Sequence, residues 1–150
     1  MTRPPCPTHI RMPTNRTLAI IKPDAFNAGK AGNILALLEE QGFALKAARV
    51  LHLTPAQAGE FYAVHKGRPF YDELVAFMTS APCMPVLLEK EGAVAALREA
   101  IGATDPAEAA EGTVRKLYAE SKGRNAIHAS DSDENAEREA RFFFAQAETL

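Results

Sequence analysis

The segment Gly123-Arg124-Asn125-Ala126-Ile127-His128-Ala129-Ser130-Asp131-Ser132 holds the residues best suited to chemistry. An imidazole ends a short apolar run, Ala126-Ile127, and small and hydroxylated residues follow at once. A histidine that ends a strand in a small-residue turn can present a ring nitrogen to a cleft. Free imidazole titrates at about 6.5, so near neutral pH it is largely an uncharged, competent nucleophile. Taken alone, the segment reads more simply as a histidine that caps a strand and does no chemistry. The case for chemistry comes from the side chains that the rest of the chain can bring to it.

Those side chains sit at the ends and on the faces of recognisable elements. Thr17 to Ile21 is a short apolar run with β-branched residues, which predicts a buried strand. Pro23 blocks further ladder pairing, so Lys22 stands at a strand end. There it can reach a cleft or simply lie in solvent. Ile34, Leu35 and Leu38 fall at helical spacing, with Gly42 as the stop. Phe43 to Leu53 reads as a strand in which Arg49 breaks the apolar face. A bulge there, or an arginine stem covering the core edge, would accommodate it.

Thr54-Pro55 opens a helix that runs to about His65, with Thr54 as cap. Tyr62 and His65, three apart, lie on adjacent faces, and His65 is read as packed against the core. Phe70 to Thr79 is another helix, with Phe70, Leu74, Phe77 and Met78 on one stripe. Met84 to Leu88 is a third strand, in which Pro85 demands the strand start or a bulge. Gly92 to Ile101 is helical, carries Arg98 and stops at Gly102. Residues 103–112 form a long irregular loop, and 113–120 a short helix. Thr104 and Arg115 flank that loop, either as plain surface residues or as part of a site, because loops of this length in compact domains are often functional.

Ala126-Ile127-His128 is the last strand. Ser132 caps the final helix, with Asp133 and Glu134 in its first turn. Ala136, Ala140, Phe143 and Phe144 form the buried stripe of that helix. Glu139 falls near this stripe, and a carboxylate there needs a partner; His128 can be that partner. The order β-α-β-α-α-β-α-β-α fits an α+β fold: a ferredoxin-like (split βαβ) four-stranded antiparallel sheet covered by helices.

Composition narrows the classes. A chain of 150 residues with 47% hydrophobic content suits one domain with one core. We take residues 16–150 as that domain and the proline-rich residues 1–15 as a flexible arm. A net charge of -2 gives no bulk electrostatic case for nucleic acid. No apolar run approaches the roughly 20 residues that a membrane helix needs. The N-terminus shows no secretory h-region, so the expected compartment is the cytoplasm. Cys6 and Cys83 are far apart in sequence and are read as free thiols. Cys6 and His9 in the arm are weak evidence for a metal.

Asn125-Ala126-Ile127-His128-Ala129-Ser130-Asp131-Ser132 resembles the active-site signature of the nucleoside diphosphate kinase family. Ile20-Ile21-Lys22-Pro23-Asp24-Ala25 is similar to a second family segment. Between them Phe61 to His65, Arg68 to Tyr71, Phe77 to Ser80, Gly102 to Pro106 and Gly112 to Arg115 follow in family order and spacing. The likeness runs from about Arg16 to Phe144. It implies a ping-pong transfer, in which the γ-phosphate of a nucleoside triphosphate passes to His128 and then to a nucleoside diphosphate.

On this resemblance Glu139 binds the other ring nitrogen, and Ser130 holds Glu139. Lys22, Arg98 and Arg115 supply positive charge. Tyr62, Thr104 and Asn125 supply neutral donors, and Phe70 stacks on the base. The resemblance also implies Mg2+ held through the nucleotide phosphates rather than by protein side chains, and a homo-oligomer, with a tetramer favoured over a hexamer. No P-loop pattern is present, so scattered side chains must grip the phosphates.

Two departures stand out: Ala129 where the family usually has glycine, and Leu117 where it usually has aspartate. They predict a slower enzyme with Arg115 less firmly held. They also motivate the alternative of a catalytically silent nucleotide-binding module. A third reading, a structural oligomer subunit with a nucleic-acid role, runs against the near-neutral charge.

Overall fold

All six residues of the first strand, β1 (Arg16–Ile21), are buried. A strand covered on both faces needs helices above and below it, and here the run is continuously apolar beyond Thr17 rather than alternating. The computed structural model describes residues 15–149. The expected N-terminal arm, with Cys6 and His9, lies outside the described residues except for Asn15. After β1 come α1 (Pro23–Asn27), α2 (Ala31–Glu40), β2 (Ala44–Ala48), α3 (Pro55–Phe61), a single 3-10 turn (Ala63–His65) and α4 (Tyr71–Met78). Then follow β3 (Met84–Glu89), α5 (Ala93–Ile101), α6 (Val114–Tyr118), β4 (Ile127–Ala129), α7 (Asp133–Phe143) and α8 (Gln146–Thr149).

The sheet has the order β2-β3-β1-β4, and every neighbouring pair is antiparallel. This is the split βαβ arrangement expected from the element order. Ile20 lies opposite Pro85 on one side and His128 on the other. Side chains on one face, Leu18, Ile20 and Leu87, join Phe61, Tyr62, Ala136, Ala140 and Phe143 in one core layer. On the other face Ala19, Ile21, Val86 and Leu88 join Ile34, Leu38, Leu97, Ile101 and Val114. Leu18, Ile20 and Ile21 are 0% exposed, and truncating such a side chain to alanine costs about 2–5 kcal/mol.

The helix signals act as the sequence predicts. Thr54 and Gln57 form a reciprocal capping box at the start of α3. Ser132 accepts from the Asn135 N–H and starts α7. Gly102 ends α5 at φ 88. Elsewhere tertiary contacts redraw the boundaries. The second strand stops at Ala48, and its register shift falls between Leu45 and Ala47 rather than at Arg49. Arg49 instead sends Nη1 to the carbonyl of Phe143, at 2.7 Å, near the end of α7. Beyond it only Leu51 bridges back, to Cys83. Helix α3 ends at Phe61, short of His65, and Pro85 is the second residue of β3, close to the strand start. The short helices α1 and α8 add to the predicted order.

Candidate active site

His128 is the middle residue of β4 and the cross-strand partner of Ile20. Strand parity therefore turns Ile127 and Ala129 into one core layer and His128 towards the face that carries α3 and α7. Its side chain is 22% exposed, so the ring reaches both the core and solvent. Nε2 meets Oε1 of Glu139. Glu139 lies on the buried stripe of α7 at 4% exposure, and Arg138 Nη2 stands 3.9 Å from its second oxygen. An ionised carboxylate accepts from Nε2–H, which leaves Nδ1 with its lone pair free. Phe61 meets the imidazole edge-on at a centroid distance of 5.7 Å, and Tyr62 does so at 6.3 Å. The two rings fix its plane.

Tyr62 is 5% exposed, and its hydroxyl is buried without a hydrogen-bond partner among the described residues. Burial, and then the Glu139 charge, pushes the phenol up, so it stays a neutral O–H. An aromatic series continues outward from it. His65 stacks on Tyr62 at 6.4 Å, and Phe70 stands 5.3 Å from His65 with 45% of its surface exposed. His65 is thus half-buried between two rings rather than in the core, because the chain leaves α3 before reaching it.

The cations approach from the other side of β4. Lys22 donates from Nζ to Asn125 Oδ1 at 2.9 Å, and its backbone N–H donates to the Ala126 carbonyl at 2.9 Å. Burial, then the Arg115 charge, lowers the Lys22 ammonium to about 8, against a smaller opposing pull from Asp24. Arg115 is 9% exposed. Its Nη1 donates to the Gly102 carbonyl at 3.1 Å, and its Nη2 donates to the Ile127 carbonyl at 2.8 Å. Burial, followed by the nearby Arg98, lowers the guanidinium to about 10, which still leaves it charged at neutral pH.

Gly102 makes this approach possible. A Cβ there would stand 2.6 Å from Thr113 Oγ1, the oxygen that accepts from Lys116 N–H to cap α6. Arg98, Thr104 and Arg115 line one cleft of about 430 Å3 between α5 and the loop 103–112. The Asp131 carboxyl is held low by its bond from Asn135, with Arg98 and His128 adding to the effect.

Nine of the ten sequence-predicted residues thus fall into connected groups: His128, Glu139 and Tyr62 with Phe70 beyond; Lys22 with Asn125; Arg98, Thr104 and Arg115. Ser130 does not take its expected place. Its hydroxyl donates to the Leu18 carbonyl at 3.4 Å, a strand-edge bond, and not to Glu139. Among the described residues only Ala126 is a non-glycine with positive φ, so Ala129 meets no left-handed strain. Leu117 is 53% exposed; two carbonyls accept from Arg115 Nη1 and Nη2, while its Nε is buried without a hydrogen-bond partner among the described residues.

Sequence reading overlooked Phe61, whose helical position gives no hint of its edge contact with His128. It also assigned no role to Asp24, although Pro-Asp at a helix start marked the place. Among the described residues no three His, Cys, Asp or Glu side chains gather to hold a metal ion. No helix among them is long and apolar enough to cross a membrane.

Comparison with known proteins converges on one family. A family model described as nucleoside diphosphate kinase matches residues 15–149. The nucleoside diphosphate kinase of Chlorobium chlorochromatii is 59% identical over 135 residues, covering 90% of this chain and 96% of the relative. That of Sorangium cellulosum is 55% identical over 134 residues, covering 89% of this chain and 93% of the relative. Among solved structures, the Aquifex aeolicus nucleoside diphosphate kinase superposes with a TM-score of 0.88 at 47% identity, covering 91% of this chain and 99% of that one. The Encephalitozoon cuniculi nucleoside diphosphate kinase gives 0.86 at 32% identity, covering 91% and 92%.

Proposed function

Since the chain belongs to the nucleoside diphosphate kinase family, whose members are phosphotransferases, we propose that His128 Nδ1 carries the phosphoryl group between nucleotides. In the first half-reaction its lone pair attacks the γ-phosphorus of a nucleoside triphosphate. An N–P bond forms as the bond to the β,γ-bridging oxygen breaks, and the diphosphate leaves with that electron pair. In the second, a terminal β-phosphate oxygen of another nucleoside diphosphate attacks the phosphorus, and the N–P electrons return to Nδ1. A phosphoramidate is energy-rich, so neither half is strongly downhill and the relay reverses.

The observation that carries this reading is the contact between His128 Nε2 and Glu139. It leaves the other nitrogen bare, in a ring held edge-on by Phe61 and Tyr62. Phosphoryl transfer is chiefly positioning and charge stabilisation. In this role Lys22, Arg98 and Arg115 offset phosphate charge. Asn125, Thr104 and the Tyr62 hydroxyl donate to phosphate, ribose or leaving oxygen, and Phe70 stacks on the base. Ser130 serves by anchoring the start of the loop after β4 to β1.

In this reading the nucleotide arrives with Mg2+. The donor set fits an ion held by phosphates, because cations and neutral donors line the phosphate path. Lys22, Arg98 and Arg115 would then surround phosphates that hold the ion, and the ion would supply further offset to the phosphate charge. We further propose a single catalytic domain over residues 16–150, a cytoplasmic setting, and a homo-oligomer, a tetramer in preference to a hexamer. A silent regulatory module gains no support: Ala129, which helped to motivate it, lies outside the left-handed region, and two carbonyls still accept from Arg115 beside Leu117.

An exchange assay with ATP and a chemically different nucleoside diphosphate tests the kinetic scheme. Double-reciprocal plots should be parallel as the second substrate is varied. Intersecting plots would require both nucleotides bound together and would refute a covalent relay.

A further inference from the structure

The turn that delivers His128 to the sheet is unusual. Ala126 has φ 72, and the Ile127 N–H donates back to the Asn125 carbonyl at 2.8 Å, the i to i+2 bond of a γ-turn. Alanine disfavours this conformation, so the surroundings must impose it. The segment after β1 does so from both sides of the residue. Lys22 N–H donates to the Ala126 carbonyl, at 2.9 Å. Ala126 N–H in turn donates to Asp24 Oδ2, at 3.0 Å.

Asp24 stands in the first turn of α1 yet does not cap it; the cap position is Lys22, which makes no side-chain capping bond. Asp24 is 7% exposed, and its second carboxylate oxygen is buried without a hydrogen-bond partner among the described residues. A buried carboxylate so placed is costly to keep, and its bond to Ala126 N–H runs across the chain to the turn before the histidine.

We propose that Asp24 is a positioning residue for phosphoryl transfer. By holding the Ala126 N–H it fixes the left-handed turn, and so sets His128 and Asn125 against Lys22. The inference rests on His128 being the phosphoryl carrier. Its charge also opposes the lowering of the Lys22 ammonium that burial and Arg115 cause. Asp24 therefore steadies both the shape and the charge of this corner.

The test uses the full chain and compares Asp24→Ala, Asp24→Asn and the pair Asp24→Ala with Ala126→Gly. The readouts are steady-state kinetics with ATP and the rate at which label from [γ-32P]ATP reaches His128, with circular dichroism to report folding. We expect Asp24→Ala to lose at least about tenfold in kcat and in labelling rate, with KM for ATP changed less than about threefold. Asp24→Asn keeps an acceptor oxygen and should recover most of that loss. Ala126→Gly should shrink the Asp24→Ala loss severalfold, because glycine adopts the turn unaided. If Asp24→Ala does not fold, Asp24→Ser, which falls short of the Ala126 N–H, takes its place in the same comparison.

An undiminished kcat in the variant lacking the carboxylate overturns the proposal. So does a loss that Ala126→Gly leaves unchanged. Labelling of the unaltered protein separates the two readings. If His128 takes no label, the covalent relay itself fails; if it labels and Asp24→Ala labels as fast, only the present inference fails.

Discussion

Glu139, on the buried stripe of α7, meets Nε2 of His128 in the edge strand β4. The contact joins two elements whose own signals are local: a capped amphipathic helix and a three-residue strand. It fixes which ring nitrogen is protonated and which is free. Glu139→Gln keeps the shape but presents an amide that can accept or donate, so the required tautomer is no longer enforced. We expect kcat to fall by on the order of 10²-fold with little change in KM. A wild-type kcat in the glutamine variant would show that the imidazole needs no partner.

If Lys22 grips phosphate as proposed, it should set the position of the alkaline limb of the rate profile. Protonated, it attracts phosphate; burial and Arg115 lower its pKa to about 8, so the charge is present below that pH and lost above it. Hence kcat/KM for ATP should decline as pH rises through about 8, since this ratio reports ionisations of the free enzyme. Lys22→Arg keeps its charge throughout that range and should push the decline to higher pH. An alkaline limb that stays put in the arginine variant would assign it to another group.

Phe70, exposed and 5.3 Å from His65, is the outermost ring of the aromatic series. Stacking on a base tolerates any base, so Phe70→Ala should raise KM by on the order of tenfold for purine and pyrimidine nucleotides alike. A loss confined to one base would point to hydrogen-bonded recognition instead.

Ala129 sits in β4 outside the left-handed region. Glycine there relieves nothing and adds backbone freedom to the unfolded chain. Ala129→Gly should therefore change kcat by less than about threefold and cost about 0.5–1 kcal/mol in stability by denaturant melt. A large gain in rate would mean that the alanine methyl obstructs the phosphoryl group.

What the sequence made legible was local. Thr54 with Gln57, Ser132 and Gly102 announce helix ends by their own chemistry, and the continuous apolar run in β1 announces a strand covered on both sides. Glu139 could be matched to His128 because a carboxylate on an apolar stripe needs a partner. What escaped depends on contacts distant in sequence. Arg49 is drawn to the Phe143 carbonyl, 94 residues away, and β2 ends there. Ser130 is claimed by Leu18, 112 residues away, and Arg115 is fixed by backbone carbonyls that no side-chain pattern encodes. The positive φ of Ala126 leaves no trace in the sequence, because alanine is the wrong residue to advertise it.

The account stands most directly on one labelling experiment. Protein mixed with [γ-32P]ATP and no acceptor should take up close to one acid-labile, base-stable phosphate per chain. That label should map to His128, leave on addition of a nucleoside diphosphate, and be absent from His128→Ala. Full exchange activity in His128→Ala, or no label on the unaltered chain while exchange proceeds, would contradict it.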